Sequence, residues 1–576
     1  MMQVIWLVIL TLITFSVGYI GYSRYLAQFV ELDEEAETPA HKYDDGQEYV
    51  PAKKPVLLGH HYSSIAGGAP IVGPITAGVV WGWLPAIIWI AIGNPLMGAV
   101  HDFVSLSSSL RHEGKSIGYI MGEYVGERGK DMLLWFAFLT IILVVAVFAY
   151  VIAVVFEAYP SAATASLLYI GLALLFGVYL YQFNLPFVPG TAVFVVGVFA
   201  SIFVGLAYPI SLSVNAWVPI ILVYAFIASV LPVWVLLQPR DFLSSFLLYA
   251  GVGGALLAVI VGTIFATSSE PLDITLPVFR GFWGGSYGLP LFPLLFLTIA
   301  CGTISGFHSL VSSGTTAKQL NNETDARDIG YGGMLGEGLL ATVALATVAI
   351  VGVTQGTGLG RALPNFAEGG GIILTSFGIP ASFGAPFMAL VLVSFLLTST
   401  DTAARLGRYM LEEIIDTPET TVQKTAANRY VSTGVIVVVS YVLVASGSWE
   451  SLWPLFGGAN QLLAALALLT ATVWLVNWDE SKQLISTGVP MVIMTVVTVI
   501  GLLYLAFFQN LAGKLLDPAW MAENGIVSQA SVVLQIVLAL VLVALGLGLA
   551  YIGLSNVRET RREQTSTVAG GEPSDD

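Results

Sequence analysis

Hydroxyl and carboxylate side chains come together near the end of one apolar run, in the segment Thr398-Ser399-Thr400-Asp401-Thr402. Hard oxygen groups of this kind are typical of a Na+ site, and a carboxylate in apolar surroundings is also typical of a proton carrier. The alternative is a structural pair between Asp401 and Arg405, which stand four residues apart on one helix face. Glu337, which lies between two glycines in another apolar run, is a weaker candidate proton carrier.

Histidines are the next candidates, because an imidazole exchanges protons near neutral pH. His60 and His61 open a Gly- and Pro-rich run and suit a proton-sensitive gate or a carboxylate contact; the alternative is an interfacial pair in contact with headgroups and water. For His308, a functional role is favoured over that of a satisfied core histidine. Neighbours on a helix point about 100° apart, so His101 and Asp102 are not expected to pair. Asp102 is expected to accept a hydrogen bond from a helix N-terminus or from an arginine. It would then act either as a structural clamp or in a functional role. We class as gate or structural residues His60, His101, Asp102 and Arg405.

Two interrupted apolar runs must position these groups. The first, from Gly59 to His112, has the length of two membrane spans, but its first half is too dense in Gly and Pro, over Gly67–Pro74, for an unbroken helix. The second, Leu289–Leu320, is broken around Cys301–Gly306. Non-helical backbone at membrane depth survives only inside protein or beside a wet cavity, and two broken spans are typical of the binding site of a secondary transporter.

The breaks also predict an anion site. Half-helix N-termini present free N–H groups and partial positive charge, which can hold a carboxylate without an arginine. For each serine or threonine taken alone, the alternative is close helix packing through a small side chain. The residues predicted to line the pocket are His61, Ser63, Ser64, Gly67, Gly68, Thr303, Ser305, His308, Ser312 and Ser313.

Composition fixes the class of protein. The 576 residues are 56% hydrophobic and 10% charged, a balance typical of an integral membrane protein. The net charge of -15 suits either a cell with a salty interior or ordinary solvated loops, and it disfavours nucleic-acid binding. The single cysteine excludes a disulfide framework, and no zinc-ligand spacing, complete P-loop or nucleophile elbow is found. We therefore expect no enzyme activity, no cofactor and no bound metal.

Runs of roughly 20 apolar residues predict an all-α polytopic protein with about fifteen spans. Lys and Arg in the short loops place the N-terminus outside and the C-terminus in the cytoplasm. Between the spans, Ser116–Arg128 is predicted to be a short cytoplasmic segment and Phe366–Phe377 an external re-entrant one. The predicted spans are 3–23, 59–80, 83–109, 132–156, 164–184, 188–208, 214–237, 243–267, 289–314, 331–355, 384–404, 431–447, 452–476, 488–509 and 529–554.

Five regions follow from these spans. They are an N-terminal span and acidic loop (1–57), a first core half with extra spans (58–268), a second core half (269–480), C-terminal peripheral spans (481–556) and a disordered acidic cytoplasmic tail (557–576).

Four motifs in order, GHHYSSIAGGAPIVGP, IGNPLMGAVHDF, CGTISGFHSLVSSGTTAKQL and LTSTDTAARLGRYMLEE, resemble the carbon starvation protein A (CstA) family over about residues 55–510. The resemblance implies a prokaryotic inner-membrane carrier for peptides or for pyruvate with protons. It also implies the leucine-transporter type of inverted-repeat core, from which two extra spans between the repeats depart. In that scaffold the span equivalent to 384–404, which is rich in Ser and Thr, faces the unwound backbone carbonyls of the first break, here around Ala66. The predicted ion-coupling residues are thus Ala66, Glu337, Thr398, Ser399, Asp401 and Thr402.

We therefore predict a secondary active transporter in the cell membrane that imports a small carboxylate such as pyruvate with H+ or Na+. Peptide uptake is the alternative within this class, and the choices of substrate, ion and oligomeric state stay open. A nutrient sensor is disfavoured because only a short tail follows the last predicted span, and a haem enzyme because the histidine spacing matches no ligand set.

Overall fold

A computed structural model describes residues 2–46, 49–232, 235–352, 359–415, 417–445, 449–477 and 484–570. These residues form helices joined by loops, and the only β-structure among them is two isolated bridges. Within these described ranges, eleven helices are long and apolar enough to cross a membrane, or twelve when one bent pair is counted as a span. The all-α polytopic fold is confirmed, while the count of fifteen spans is not. The other three predicted spans fall on two shorter apolar helices and on the second interrupted run.

The helices follow one another along the chain, and longer connections precede α2, α11 and α19. Before the second break they are α1 (Ile5–Val30), α2 (Lys54–Ile65), α3 (Ala69–Trp81), α4 (Trp83–Arg111), α5 (Ile117–Val125), α6 (Glu127–Ala158), α7 (Pro160–Leu180), α8 (Phe187–Ala207), α9 (Val214–Val230) and α10 (Leu237–Phe265). From there on they are α11 (Leu291–Thr298), α12 (Gly306–Val311), α13 (Arg327–Val351), α14 (Leu359–Leu374), α15 (Ala381–Ile415), α16 (Arg429–Ala445), α17 (Trp449–Asn477), α18 (Leu484–Tyr504) and α19 (Ile526–Gly570).

The centre of the bundle is formed by α6, α13 and α17, whose apolar stretches are 83%, 83% and 100% buried within the protein. Helix α8 is only 22% buried and exposes large apolar side chains such as Val193 and Phe203. In a bilayer such side chains face lipid at no cost. The buried polar groups described below lie outside α8.

The two interrupted runs cross the bundle in opposite directions. Ala52, just before α2, forms a bridge with Leu320, just after α12. At the other face Trp81, the last residue of α3, donates its indole N–H to Leu289 O, just before α11 (2.9 Å). The start of one run thus meets the end of the other at both faces, which is the relation that inverted repeats require.

The two segments between spans are both helical. The predicted cytoplasmic segment forms α5, which begins where the Ser116 hydroxyl accepts from Tyr119 N (3.2 Å). The segment Phe366–Phe377 belongs to α14 and a following 3-10 turn, and Phe366 is buried. At the C-terminal end α19 continues to Gly570, so residues 557–570 are helical where the sequence predicts disorder, and 571–576 lie outside the described residues.

Candidate functional site

The first helix break separates α2 from α3, which are bent by 49° at Ala66–Gly68. Gly73 and Pro74 lie within α3, so the break is shorter than the predicted Gly67–Pro74. A Cβ atom on Gly67 would lie 3.0 Å from Ser399 Oγ, and one on Gly68 would lie 2.3 Å from Leu396 Cδ2. Glycine is needed here because α15 packs directly on the break.

The second break lies between α11 and α12, and side chains from other helices satisfy its backbone. Asn460 Oδ1 accepts from Phe307 N (2.9 Å), and its Nδ2 donates to Ser305 Oγ (3.0 Å). From α4, Asn94 Nδ2 donates to Gly302 O (3.1 Å) and also to the backbone of α13. These amide contacts stabilise an unwound segment that has no water to bind in a bilayer.

A chain of fully buried ionisable groups joins the second break to α4 and α13. His308 Nδ1 donates to Asp102 Oδ2 (2.9 Å), while its Nε2 lies 3.0 Å from Glu337 Oε2. Cys301 Sγ lies within 4.8 Å of ligand atoms on His308 and Glu337. Two acids and one imidazole therefore share a site in the interior of the bundle, contributed by three different helices.

The expectation that His101 and Asp102 do not pair is wrong. His101 Nδ1 donates to Asp102 Oδ1 (2.7 Å), so both carboxylate oxygens accept from an imidazole. The 100° between neighbouring side chains is bridged because a short carboxylate and an adjacent ring turn toward each other. Asp102 accepts from two histidines rather than from the expected arginine or helix end.

Asp401, the predicted ion-coupling carboxylate, lies in a second buried cluster. It forms an ion pair with Arg240 Nη1, and Tyr224 Oη donates to its Oδ2 (3.0 Å). The alternative pair with Arg405 is wrong, because Arg405 Nη2 donates to Ala228 O (2.8 Å) and to the end of α9. The α15 backbone places Asp401 toward α9 and α10, and Arg405 one turn further along.

The two adjacent histidines of α2 have different partners. His60 Nδ1 lies 3.4 Å from Asp241 Oδ2, and Asp241 Oδ1 accepts from Arg240 Nη2 (2.7 Å). His61 Nδ1 shares a hydrogen bond with Thr316 Oγ1 (2.8 Å), just beyond α12. Helix α2 thus contacts the charged cluster of Arg240 and Asp241 through His60, and the segment after α12 through His61.

The predicted pocket hydroxyls divide into two groups. Thr303 donates within the break to Ile299 O (2.7 Å), Ser305 binds Asn460, and Ser313 Oγ donates to Ser309 O (2.7 Å), so these serve packing. Thr398 donates to its own helix at Ser394 O. Within the part of the chain that the structure describes, no hydrogen-bond partner reaches the buried hydroxyls of Ser63, Ser64, Ser312, Ser399 and Thr402.

A narrow cleft leads from one face of the bundle toward these hydroxyls. Ser64 and Thr402 line it, together with His60, Lys318 and Arg405. Beside it, a larger cleft of about 480 Å³ shares His60 and is lined by aromatic side chains of α7, α8 and α10. Basic side chains therefore line the route by which an anion could reach the first break.

Sequence reasoning missed Arg240, Asp241 and Tyr224. The pair Arg240-Asp241 stands just before a predicted span, where the pattern is that of an ordinary cytoplasmic loop, yet both side chains are buried. Tyr224 is one of 23 tyrosines, and its type alone carries no signal. Only the packing of α9 and α10 against α15 brings these groups to Asp401.

Comparisons with known proteins identify relatives over most of the chain. It is 33% identical to the pyruvate/proton symporter BtsT of Escherichia coli, with 86% of this chain and 80% of that protein covered. It is 30% identical to the peptide transporter CstA of Bacillus subtilis, with 95% of each covered. It is 32% identical to the peptide transporter CstA of Campylobacter jejuni, with 86% and 79% covered.

Among solved structures, a mutant of the Eremococcus coleocola manganese transporter superposes with a TM-score of 0.50 at 12% identity, over 90% of this chain and 99% of that one. That likeness concerns the fold alone. The family model described as "Carbon starvation protein CstA" matches residues 3–359 and 352–501. The chain is thus a multi-pass membrane transporter and belongs to the carbon starvation protein CstA family.

Proposed function

We propose that this transporter imports a short carboxylate such as pyruvate together with a proton. The observation that carries the proposal is His308, buried between Asp102 and Glu337 at the second helix break. The relative BtsT is a pyruvate/proton symporter, which agrees with proton coupling of this transporter.

The chemistry of this trio suits a proton. Two carboxylates and one imidazole change their summed charge by one with each proton that they bind, and a net charge inside a bilayer is costly. Because Asp102 lies on α4, His308 on α12 and Glu337 on α13, a movement of one helix changes the His308 contacts and hence the affinity for the proton. Proton binding and helix movement are then linked in both directions.

The substrate carboxylate would bind at the first break. Ser63, Ser64, Ser399 and Thr402 supply hydroxyl donors that have no partner among the described residues. The basic cleft at His60 and Arg405 supports an anionic substrate in particular, because a positive lining raises the local anion concentration.

Peptide uptake remains a second candidate for a specific reason. The larger cleft beside His60, with about 480 Å³, offers room and aromatic surface that a pyruvate molecule does not need. The relatives from B. subtilis and C. jejuni are named peptide transporters.

For orientation, we propose that the N-terminus faces outward and the C-terminus inward. The face that carries Lys53, Lys54, Arg111 and Lys318 would then be cytoplasmic, in accord with the rule that Lys and Arg concentrate inside. The clefts at His60 open on the side of these loops, which corresponds to an inward-facing conformation.

The test is uptake of labelled pyruvate and of a labelled dipeptide into proteoliposomes under separately imposed H+ and Na+ gradients. With one proton per substrate, a gradient of two pH units supports accumulation of pyruvate up to about 100-fold. The variant His308→Ala should abolish this accumulation, whereas His41→Ala, which removes an exposed histidine of the short helix Pro39–Lys42, should not. Accumulation of the dipeptide alone would favour peptide uptake, and pyruvate accumulation by His308→Ala at the wild-type level would refute the role of the trio.

A further inference from the structure

Three side chains from the second break and α13 converge on one buried point. Cys301, His308 and Glu337 each present a ligand atom there, and these atoms all lie within 4.8 Å of one another. A thiolate, an imidazole and a carboxylate are the three kinds of side chain that bind zinc in proteins. The expectation of no bound metal rests on ligand spacing along the chain, and spacing does not reveal a site whose third ligand, Glu337, comes from another helix.

The atoms that face this point make no hydrogen bonds of their own. Within the part of the chain that the structure describes, neither carboxylate oxygen of Glu337 nor His308 Nε2 has a hydrogen-bond partner, although Nε2 lies 3.0 Å from Glu337 Oε2. Because Asp102 Oδ2 accepts from His308 Nδ1, a neutral imidazole carries its proton on that side and turns the Nε2 lone pair toward Glu337. Two lone pairs at this distance repel each other unless a proton or a metal ion lies between them.

Neighbouring groups orient two of the three ligands. The hydrogen bond from His308 to Asp102 (2.9 Å) is the carboxylate–histidine arrangement that fixes the ring of most metal-bound histidines. Asn460 Nδ2, from α17, donates to Cys301 Sγ (3.2 Å), which stabilises a thiolate. A tetrahedral zinc ion at about 2.0–2.3 Å from its ligands keeps their atoms roughly 3.3–3.6 Å apart. Since the separations here are 3.0 Å for one pair and within 4.8 Å for all, small side-chain movements are enough.

We propose that Cys301, His308 and Glu337 form a binding site for a divalent transition-metal ion of the zinc class. The thiolate and the carboxylate carry two negative charges, which neutralise a divalent ion inside the bilayer and leave a monovalent ion unbalanced. The sulfur ligand favours Zn2+ over Mg2+ and Ca2+, which prefer oxygen. The thiol proton is released on binding, because only the thiolate is a ligand.

A bound ion should inhibit uptake. It would occupy His308 Nε2 and the Glu337 carboxylate, the two groups between which the proposed coupling proton lies. A metal-loaded transporter could then not take up that proton. This consequence rests on the proposed function, whereas the metal site itself does not.

The test uses Co2+ as a spectroscopic probe and needs neither substrate nor a proton gradient. Because the ligands are buried, the purified full chain is incubated with Co2+ before the charge-transfer absorption of a cobalt–thiolate bond is recorded. Cys301 is the single cysteine of the sequence, so such a band can come only from this side chain. The wild type should develop the band up to one equivalent of Co2+, and Zn2+ should remove it, since a tetrahedral site with a thiolate favours zinc.

Variants that keep the cysteine control the result. His308→Ala and Glu337→Gln each remove one ligand and should lose the band, whereas His41→Ala removes an exposed histidine and should keep it. Absence of the band in the folded wild type, or a full band in His308→Ala or Glu337→Gln, would overturn the proposal. The wild-type measurement does not depend on the folding of any variant.

Uptake with and without Zn2+ tests the inhibition. When Zn2+ is present at ten times its dissociation constant, about nine tenths of the sites are filled and the initial rate of the wild type should fall about tenfold. Cys301→Ser exchanges sulfur for oxygen and leaves Asp102, His308 and Glu337 in place, so its uptake should resist Zn2+. Equal inhibition of Cys301→Ser, or wild-type uptake unchanged by bound Zn2+, would overturn the inhibitory role. Failure of H+-driven uptake together with the cobalt band would refute the proton role and leave the metal site intact, and normal H+-driven uptake without the band would do the reverse.

Discussion

A methyl group added at Gly306, the first residue of α12, should displace the second break. A Cβ atom there would lie 2.4 Å from Asn460 O and 2.5 Å from Ala464 N, both backbone atoms of α17. Ordinary contacts begin near 3.4 Å, so Gly306→Ala requires α12 and α17 to separate by about 1 Å. His308, two residues further along α12, would move with the helix away from Glu337.

The expected cost of such overpacking is about 1–3 kcal/mol. When that cost is present only in conformations with α12 packed on α17, it shifts their population by roughly 5- to 150-fold. Stability and transport should therefore both fall, since the displaced helix carries a residue of the buried charge chain.

The assay compares Gly306→Ala with Gly171→Ala in thermal unfolding and in initial uptake rate. Gly171 lies inside α7 with nothing within 4 Å of an added Cβ, so its replacement should be neutral or stabilise the helix by about 0.5–1 kcal/mol. If Gly306→Ala unfolds and transports like the wild type, the close approach of α12 and α17 is not needed for function, and the reasoning fails.

Three other predictions concern charge and topology. Glu337→Gln keeps the size of the side chain but removes its ionisable group. This variant should lose H+-driven accumulation of substrate and retain exchange of substrate between equal pools inside and outside. If it still accumulates substrate, Glu337 has no part in coupling. Asp401→Asn leaves Arg240 without its partner and should lower stability by about 3–5 kcal/mol, with partial recovery when Arg240→Ala is added. Denaturation of the wild type, the single variant and the double variant measures this. An equal loss in the single and double variants would show that the unpaired arginine is not the cause of the instability. In a cysteine-free background, an impermeant thiol reagent should label Ser269→Cys and not Glu35→Cys in intact cells, and the reverse pattern would invert the proposed orientation.

The positions of the helix breaks could be predicted from the sequence because they depend on local chemistry. Gly67 and Gly68 mark the first break, and the Cys301–Gly306 stretch marks the second, since glycine and small polar residues weaken a helix whatever packs against it. The all-helical membrane fold follows in the same way from hydropathy. The predicted break at Gly67–Pro74 was too long because Pro74 is tolerated within α3.

The partners of the buried charges were decided by the tertiary structure. His308 meets Asp102 across 206 residues and Arg240 meets Asp401 across 161, separations at which no spacing rule applies. The i, i+4 spacing rule even gave a wrong alternative, because Asp401 and Arg405 have the spacing of an ion pair and do not form one. Which way a buried carboxylate points depends on the rotation of its helix against its neighbours. That rotation is set by packing over the entire bundle, so the sequence alone determined which groups could carry charge, and the fold determined how they pair.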